Sequence, residues 1–208
     1  WDLKNVAKTR PFAEAIGDEE NKTIARDVLD AFETIVKPHA NALRAGVAHG
    51  DANDQNVLVR VLHPSVADDF FAPGRKPVAP RATPCGVLDF GDIVATWRVN
   101  EIAVAAAYFS LGAPDPVGNV AELVTGFERT FPLTQTERRV LPTLVAARLV
   151  CSCALGAYSA ASDPENEAYL LLTQKPGWEA LRAMRECGDE RFRERLEASR
   201  AADARGEP

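Results

Sequence analysis

Apolar residues recur at helical spacing along most of the chain and at a spacing of two in only one short stretch. Ile24, Val28, Phe32, Ile35 and Val36 share one face of a helix that opens at Asn21, with Arg26, Glu33 and Lys37 opposite. A shorter helix is expected before it, from Thr9 and Pro11 to Ile16, ended by Gly17; Gly46 is expected to stop the chain ahead of a strand. The period then changes. Residues 57–62 alternate as VLVRVL, a strand pattern, and Val87 and Leu88 form a shorter apolar strand. Between them, residues 63–84 hold five prolines and no period, which reads as an irregular insert joining two hairpin strands.

Past the second strand the pattern is helical. Residues 101–111, EIAVAAAYFSL, are apolar on nearly every side, as in a helix at the centre of a core. Residues 115–131 turn Val120, Leu123, Val124 and Phe127 inward. Thr134-Gln135-Thr136-Glu137 has the form of a capping box and opens a long helix towards Ser162. The centre of that helix is apolar enough to raise a membrane span, but Arg148 in its middle, Pro142 near its start and many small residues favour a buried helix and no membrane partner. Asp163-Pro164-Glu165 starts a further helix, which Lys175-Pro176-Gly177 is expected to break. The last helix covers 178–200, anchored by Trp178, Leu181, Met184 and Leu196, and 201–208 reads as a frayed tail. The expectation is one mainly α unit over 1–208 with a small β-hairpin region, in the α+β class.

Composition narrows the partners. At 208 residues, 46% hydrophobic and 26% charged, the chain suits a single domain with a substantial core. Its 24 basic and 30 acidic residues leave a net charge of -6 and no basic stripe, which argues against nucleic acid. Cys85, Cys151, Cys153 and Cys187 are too scattered for a disulfide framework, so a reducing, cytoplasmic setting is expected. Three distant histidines with no cysteine at zinc spacing argue against a structural metal site.

The chemistry concentrates between Val47 and Gly91. A short apolar run delivers His49, Gly50 and Asp51 into a polar loop, Asn56 follows five residues after Asp51, and Asp89 ends the second strand ahead of Phe90, Gly91 and Asp92. Phosphoryl transfer needs a group that orients a hydroxyl and takes its proton, together with oxygen ligands that hold magnesium on the phosphates. Asp51 suits the first task, Asn56 and Asp89 the second. Asn53 and Asp54, inside the loop, suit either substrate contact or turn formation.

HGD-x-x-x-x-N followed by LDFGD resembles the catalytic core of the aminoglycoside phosphotransferase and choline kinase-like superfamily, relatives of the protein kinases, which carry His-Arg-Asp at this point. WDLKNV at the start, GFERTFPLT, AYSAASDPENEAYL and KPGW extend the likeness, in order, over nearly the whole chain; within the superfamily they resemble members that phosphorylate 5-hydroxy-L-lysine. The resemblance implies the C-terminal lobe of a protein-kinase-like fold with the N-terminal nucleotide lobe absent. Only 48 residues precede His49, they contain no glycine-rich hairpin, and Lys4 and Lys8 lack the flanking strand of a phosphate-pairing lysine. The chain also opens without methionine, so it is expected to be a fragment or processed product, weakly active or inactive alone.

The resemblance further implies Mg2+, GTP or ATP as donor, and a small amino alcohol as acceptor. It gives His49 a loop-bracing role and turns Asp92 and Glu101 towards the substrate amine, although a helix cap and a favourable helix-dipole charge would select the same residues. The apolar face that the other lobe would cover is expected to drive self-association. Two alternatives stay open: a related kinase acting on an aminoglycoside, choline or homoserine, and a lobe that binds a metabolite or partner without transferring phosphate.

Overall fold

Thr134 caps the helix against which much of the molecule packs, α4 (Gln135–Ser162). Its hydroxyl accepts from the Glu137 N–H at 3.2 Å, and the Glu137 carboxylate accepts from the Thr134 N–H at 2.8 Å. The computed structural model describes residues 2–62 and 81–205, so the expectations placed on 63–80 and 206–208 lie outside the described residues. Around α4 stand the 3-10 helix Leu3–Ala15, α1 (Glu19–Ala31), α2 (Val99–Ser110) and, after α3 (Pro116–Glu128) and the short α5 (Glu167–Leu170), α6 (Gln174–Arg205). Leu141, Leu144 and Val145 of α4 are fully buried in one cluster with Leu29, Phe32, Val99 and Leu181. Each large apolar side chain so buried contributes about 1.5–3 kcal/mol. α4 is long and apolar enough to cross a membrane, and 72% of its most apolar window is buried within the fold.

Several boundaries differ from the sequence reading. The first helix begins at Leu3, because the Asp2 carboxylate accepts from the Lys4 N–H at 3.1 Å and Leu3, Val6 and Thr9 are buried every third residue, the period of a 3-10 helix. α1 begins at Glu19, capped by Asp18, whose carboxylate accepts from the Asn21 N–H at 2.8 Å. Gly46 lies inside a strand instead of ahead of one. Lys175-Pro176-Gly177 does not break a helix; it lies in the first turns of α6, where a missing N–H costs no hydrogen bond. The bend in α6 falls at Gly188, with φ 71° and ψ 159°. Residues 201–205, expected to fray, continue α6, and Asp203 pairs with Arg129.

Two antiparallel ribbons carry the loops. β1 (Ala45–Ala48) pairs with β4 (Val94–Trp97), Ala45 opposite Trp97 and Ala48 opposite Val94. β2 (Val57–Leu62) pairs with β3 (Arg81–Val87), so residues 81–84 of the expected insert are strand. The register passes from Leu58 opposite Gly86 to Val59 opposite Pro84, and the irregularity around Cys85 lets a proline sit in the ladder. Because the outer strands pair with each other and the inner strands do likewise, the β1–β2 and β3–β4 connections lie side by side. Those are the segments that carry His49 to Asn56 and Asp89 to Asp92.

Arg44, just before β1, ties this region to α4. Its Nε donates to Glu137 Oε1 at 2.9 Å, its Nη2 donates to the Pro132 carbonyl at 2.8 Å, and its guanidinium lies 4.2 Å from the Phe131 ring centre. Burial pushes the Glu137 carboxyl up, but the Arg44 hydrogen bonds, the Thr134 N–H and the Arg44 charge outweigh it, and the carboxyl ends below its ordinary value of 4.5. A carboxyl lowered by folding stabilises the native state above its ordinary value, and that stability is lost as pH falls through the lowered value. Glu137→Gln is therefore expected to flatten the acid limb of stability below pH 4.5. At neutral pH, Glu137→Ala should cost about 2–3 kcal/mol in denaturant unfolding, less than the ~3–5 kcal/mol of a fully buried pair. The Arg44 side chain is 37% exposed and water can reach it.

Candidate active site

β1 leads into a turn that only glycine fits. Gly50 has φ 85°, and a Cβ there would stand 2.4 Å from the Asp92 carbonyl oxygen, so the two connections touch at this residue. The Gly50 N–H donates to Glu101 Oε2, in the first turn of α2, at 3.3 Å. His49 Nε2 donates to the Leu88 carbonyl at 2.7 Å, and its ring packs 5.2 Å from that of Phe90. The Leu88 N–H in turn donates to the Asn56 carbonyl at 2.8 Å. The backbone of each connection is thus bonded to the other.

Asp51 is the centre of a four-donor network. Its Oδ1 accepts from the Tyr108 hydroxyl and from Arg148 Nη2, each at 3.0 Å; its Oδ2 accepts from Asn53 Nδ2 at 3.0 Å and Asn56 Nδ2 at 3.3 Å. Both amides also donate to the Asp51 carbonyl, at 3.3 and 3.0 Å. Asn53 Oδ1 accepts from the Gln55 and Asn56 N–H groups, capping the 3-10 turn Asp54–Asn56. The Arg148 side chain is 4% exposed and that of Asp51 20%. Arg148 Nη2 also donates to the Tyr108 hydroxyl at 2.8 Å. Burial pushes the Tyr108 phenol up; the Arg148 charge opposes this and the Asp51 charge adds to it, so the hydroxyl stays a donor.

The sequence reading did not assign Tyr108 and Arg148 to the site. The signal for Arg148 was present: a guanidinium in the middle of an apolar helix must meet an acceptor, and Asp51 is that acceptor. Tyr108 carried no comparable signal. Nearby, Cys153 lines a small cavity with Tyr108 and Arg148, and burial pushes its thiol up to about 12, which removes it as a nucleophile near neutral pH.

Asp89 stands on the facing connection. It is the one non-glycine residue with positive φ among those described, at 58°, and its Oδ1 accepts from the Gly91 N–H at 3.3 Å. Holding a residue there costs about 1–3 kcal/mol, and such positions cluster at functional sites. The bond from Leu88 N–H to the Asn56 carbonyl places Asp89 beside Asn56. With Asn56 Nδ2 directed at Asp51, the Asn56 Oδ1 is turned away from that carboxylate, so one amide oxygen and one carboxylate are offered at the junction. No group of three His, Cys, Asp or Glu side chains suited to a metal occurs among the described residues. Two oxygens still fit magnesium, which keeps several waters and takes its remaining ligands from phosphates.

The other candidates are less engaged or differently engaged. Asp54 is exposed, and neither its side chain nor that of Asp92 forms a hydrogen bond or ion pair among the described residues. The Asn53 side chain holds the loop and Asp51. Glu101 is bonded to the loop backbone through Gly50.

By sequence the chain is similar to small-molecule kinases. The relatives that it matches are hydroxylysine kinases. It is 33% identical over 190 residues to that of Xenopus laevis, covering 91% of this chain and 48% of that protein. It is 32% identical over 188 residues to the enzyme of Bos taurus, covering 90% and 47%, and 31% identical over 194 residues to that of Mus musculus, covering 93% and 49%. The chain is hydroxylysine kinase-like over about nine-tenths of its length. It spans about half the length of the curated relatives it matches. No family model matches it, and no solved structure does.

Proposed function

We propose that this chain carries the acceptor-activating and metal-binding half of a small-molecule kinase that moves the γ-phosphate of GTP or ATP to the hydroxyl of 5-hydroxy-L-lysine. The observation that carries the reading is the fixed Asp51 carboxylate, with Asn56 and Asp89 on the two bonded connections beside it. Asp51 Oδ2 is the oxygen offered to the acceptor, because a hydroxyl that donates to it displaces only the longer Asn56 bond. Donation there aligns the hydroxyl, and Asp51 takes its proton as the bond to phosphorus forms. Magnesium held by Asn56 and Asp89 would supply charge neutralisation on the phosphates. His49 and Glu101 keep the two connections in register. Asn53, Asp54, Asp92 and Glu101 remain the side chains proposed to border the acceptor.

The relatives are about twice as long as this chain, and we read the fold as the C-terminal lobe of a kinase-like enzyme. Val47, Leu58, Val59, Val87, Phe90 and Ile93, on the ribbons and their connections, are all exposed, Val47 by 75%. That apolar surface suits cover by the rest of such an enzyme, and in the isolated chain it favours self-association. Sedimentation velocity is expected to show dimers or larger species as concentration rises; a monomer throughout would refute this. All four cysteines are free, which supports a cytoplasmic setting.

The test is transfer of γ-phosphate from magnesium GTP, and separately magnesium ATP, to 5-hydroxylysine. It is run with this chain and with a version extended upstream to the relatives' length. Transfer by the extended version is expected to stop with EDTA and return with excess magnesium, and Asp89→Asn should prevent the return. Silence in the extended version with both nucleotides would overturn the reading.

A further inference from the structure

Beside Gly50, where the two connections meet, lies a cavity of about 100 Å³. Asp2, Gly50, Asp92, Thr96 and Asn100 line it, on apolar walls from β1, β4 and α2. Two of its lining residues, Asp2 and Asp92, are carboxylates, and none is a cation. Asn100 is only 3% exposed, and its Nδ2 donates to Thr96 Oγ1 at 2.8 Å. Its Oδ1 is buried without a hydrogen-bond partner among the described residues. The Thr96 hydroxyl hydrogen is already committed to Asp2 Oδ1 at 2.6 Å. Lys4 Nζ stands 3.8 Å from Asp2 Oδ2 while donating to the Ala95 carbonyl at 2.9 Å, so it offsets part of the Asp2 charge. The Asp92 carboxylate has no such partner among the described residues.

We propose that this cavity receives the protonated amine of the acceptor, held by Asn100 Oδ1 and the Asp92 carboxylate with Asp2 behind them. This rests on the phosphotransferase reading given above. A buried amide oxygen without a donor is unfavourable, and an uncompensated carboxylate at the same cavity asks for positive charge. An ammonium group supplies both, with three N–H donors and one charge. A water supplies donors but no charge. Position agrees with the chemistry: Gly50 lines the cavity and Asp51 is the next residue. In 5-hydroxylysine the hydroxyl and the terminal amine sit on neighbouring carbons, so the proposal requires an amine held beside Gly50 to put the hydroxyl within reach of the Asp51 carboxylate. Specificity for an amino alcohol over a plain alcohol is then set by Asn100 and Asp92.

The experiment separates this from the kinase reading by using ligands that do not react. Lysine and norleucine differ only by the terminal ammonium, and their binding to this chain can be measured by calorimetry and by the Asn100 side-chain amide signal in NMR. Lysine is expected to bind about tenfold to a hundredfold more tightly, as for a charge-assisted hydrogen bond. Asn100→Leu and Asp92→Asn should each reduce that ratio towards one, with thermal unfolding confirming that each variant is folded. Equal affinity for the two ligands, or a ratio that survives both substitutions, would overturn the proposal. Discrimination lost in the variants, in a protein that transfers no phosphate even when extended, keeps the amine site and removes the kinase reading. Transfer to 5-hydroxylysine with the ratio intact in both variants does the reverse.

Discussion

Asp51→Asn is expected to lower phosphoryl transfer to 5-hydroxylysine by about 10²- to 10⁴-fold, the range supplied by a positioned general base. The measurement is kcat/KM for the extended protein beside its variant, and turnover within tenfold of the parent would remove Asp51 from its role. The geometry adds a second effect. Asp51 accepts four side-chain donors, two on each oxygen. An asparagine can present its oxygen to only one pair and must aim its NH2 at the other, donor against donor. It also removes the charge opposite a guanidinium that is 4% exposed. Removing one partner of a buried charge costs up to about 3–5 kcal/mol, and the lower end applies because Arg148 keeps its bond to Tyr108 and the Asp51 side chain is 20% exposed. The variant should therefore be less stable as well as less active. Activity has to be measured well below its unfolding midpoint.

Arg148→Leu should be the second large effect, although this side chain acts through Asp51 and is not expected to touch the acceptor. Without the guanidinium, Asp51 Oδ1 keeps Tyr108 alone, and the tyrosine hydroxyl loses a donor. The carboxylate can then rotate away from the acceptor hydroxyl. Misplacement of a reacting group by about 1 Å can cost on the order of 10²-fold in rate. The loss should fall on kcat, with KM nearly unchanged, because binding of the acceptor is assigned to other residues. A purely structural role would instead lower the folded fraction and leave kcat per folded molecule intact. Arg148→Lys tests geometry against charge. It keeps the charge and has donors enough for both acceptors, but its shorter, flexible stem cannot hold them in the plane that the guanidinium fixes, so only part of the rate should return.

The ease of reading Asp51, Asn56 and Asp89 as candidates came from local spacing. Asp51 and Asn56 share one turn, and the Asn53 cap that shapes it is also local, so six residues of sequence carry the geometry. The same holds for the helices that announce their own starts. The Thr134–Glu137 capping box and the Asp115 cap before Pro116 are contacts within one turn, and α4 and α3 begin where those residues dictate. Starts were misplaced where the cap competed with another signal. Asp18 preceded a polar run that carried no apolar period, and Pro176 looked like a stop although proline is equally at home in a first turn.

What the sequence by itself determined is therefore what depends on neighbours along the chain: the helical character of most of it, the alternating β2 strand, the turn that presents Asp51, and the order of segments shared with hydroxylysine kinases. What only the tertiary structure decided depends on pairs far apart in sequence. β1 and β4 pair across 45–48 and 94–97, which brings the two connections together. Arg148 meets Asp51 across 97 positions and Tyr108 meets it across 57. Asp2 reaches Thr96 across 94. No periodicity encodes such meetings, because a buried charge or amide specifies only that it needs a partner; which residue answers is fixed by how the ribbons and α2, α4 and the N-terminal helix pack around one core.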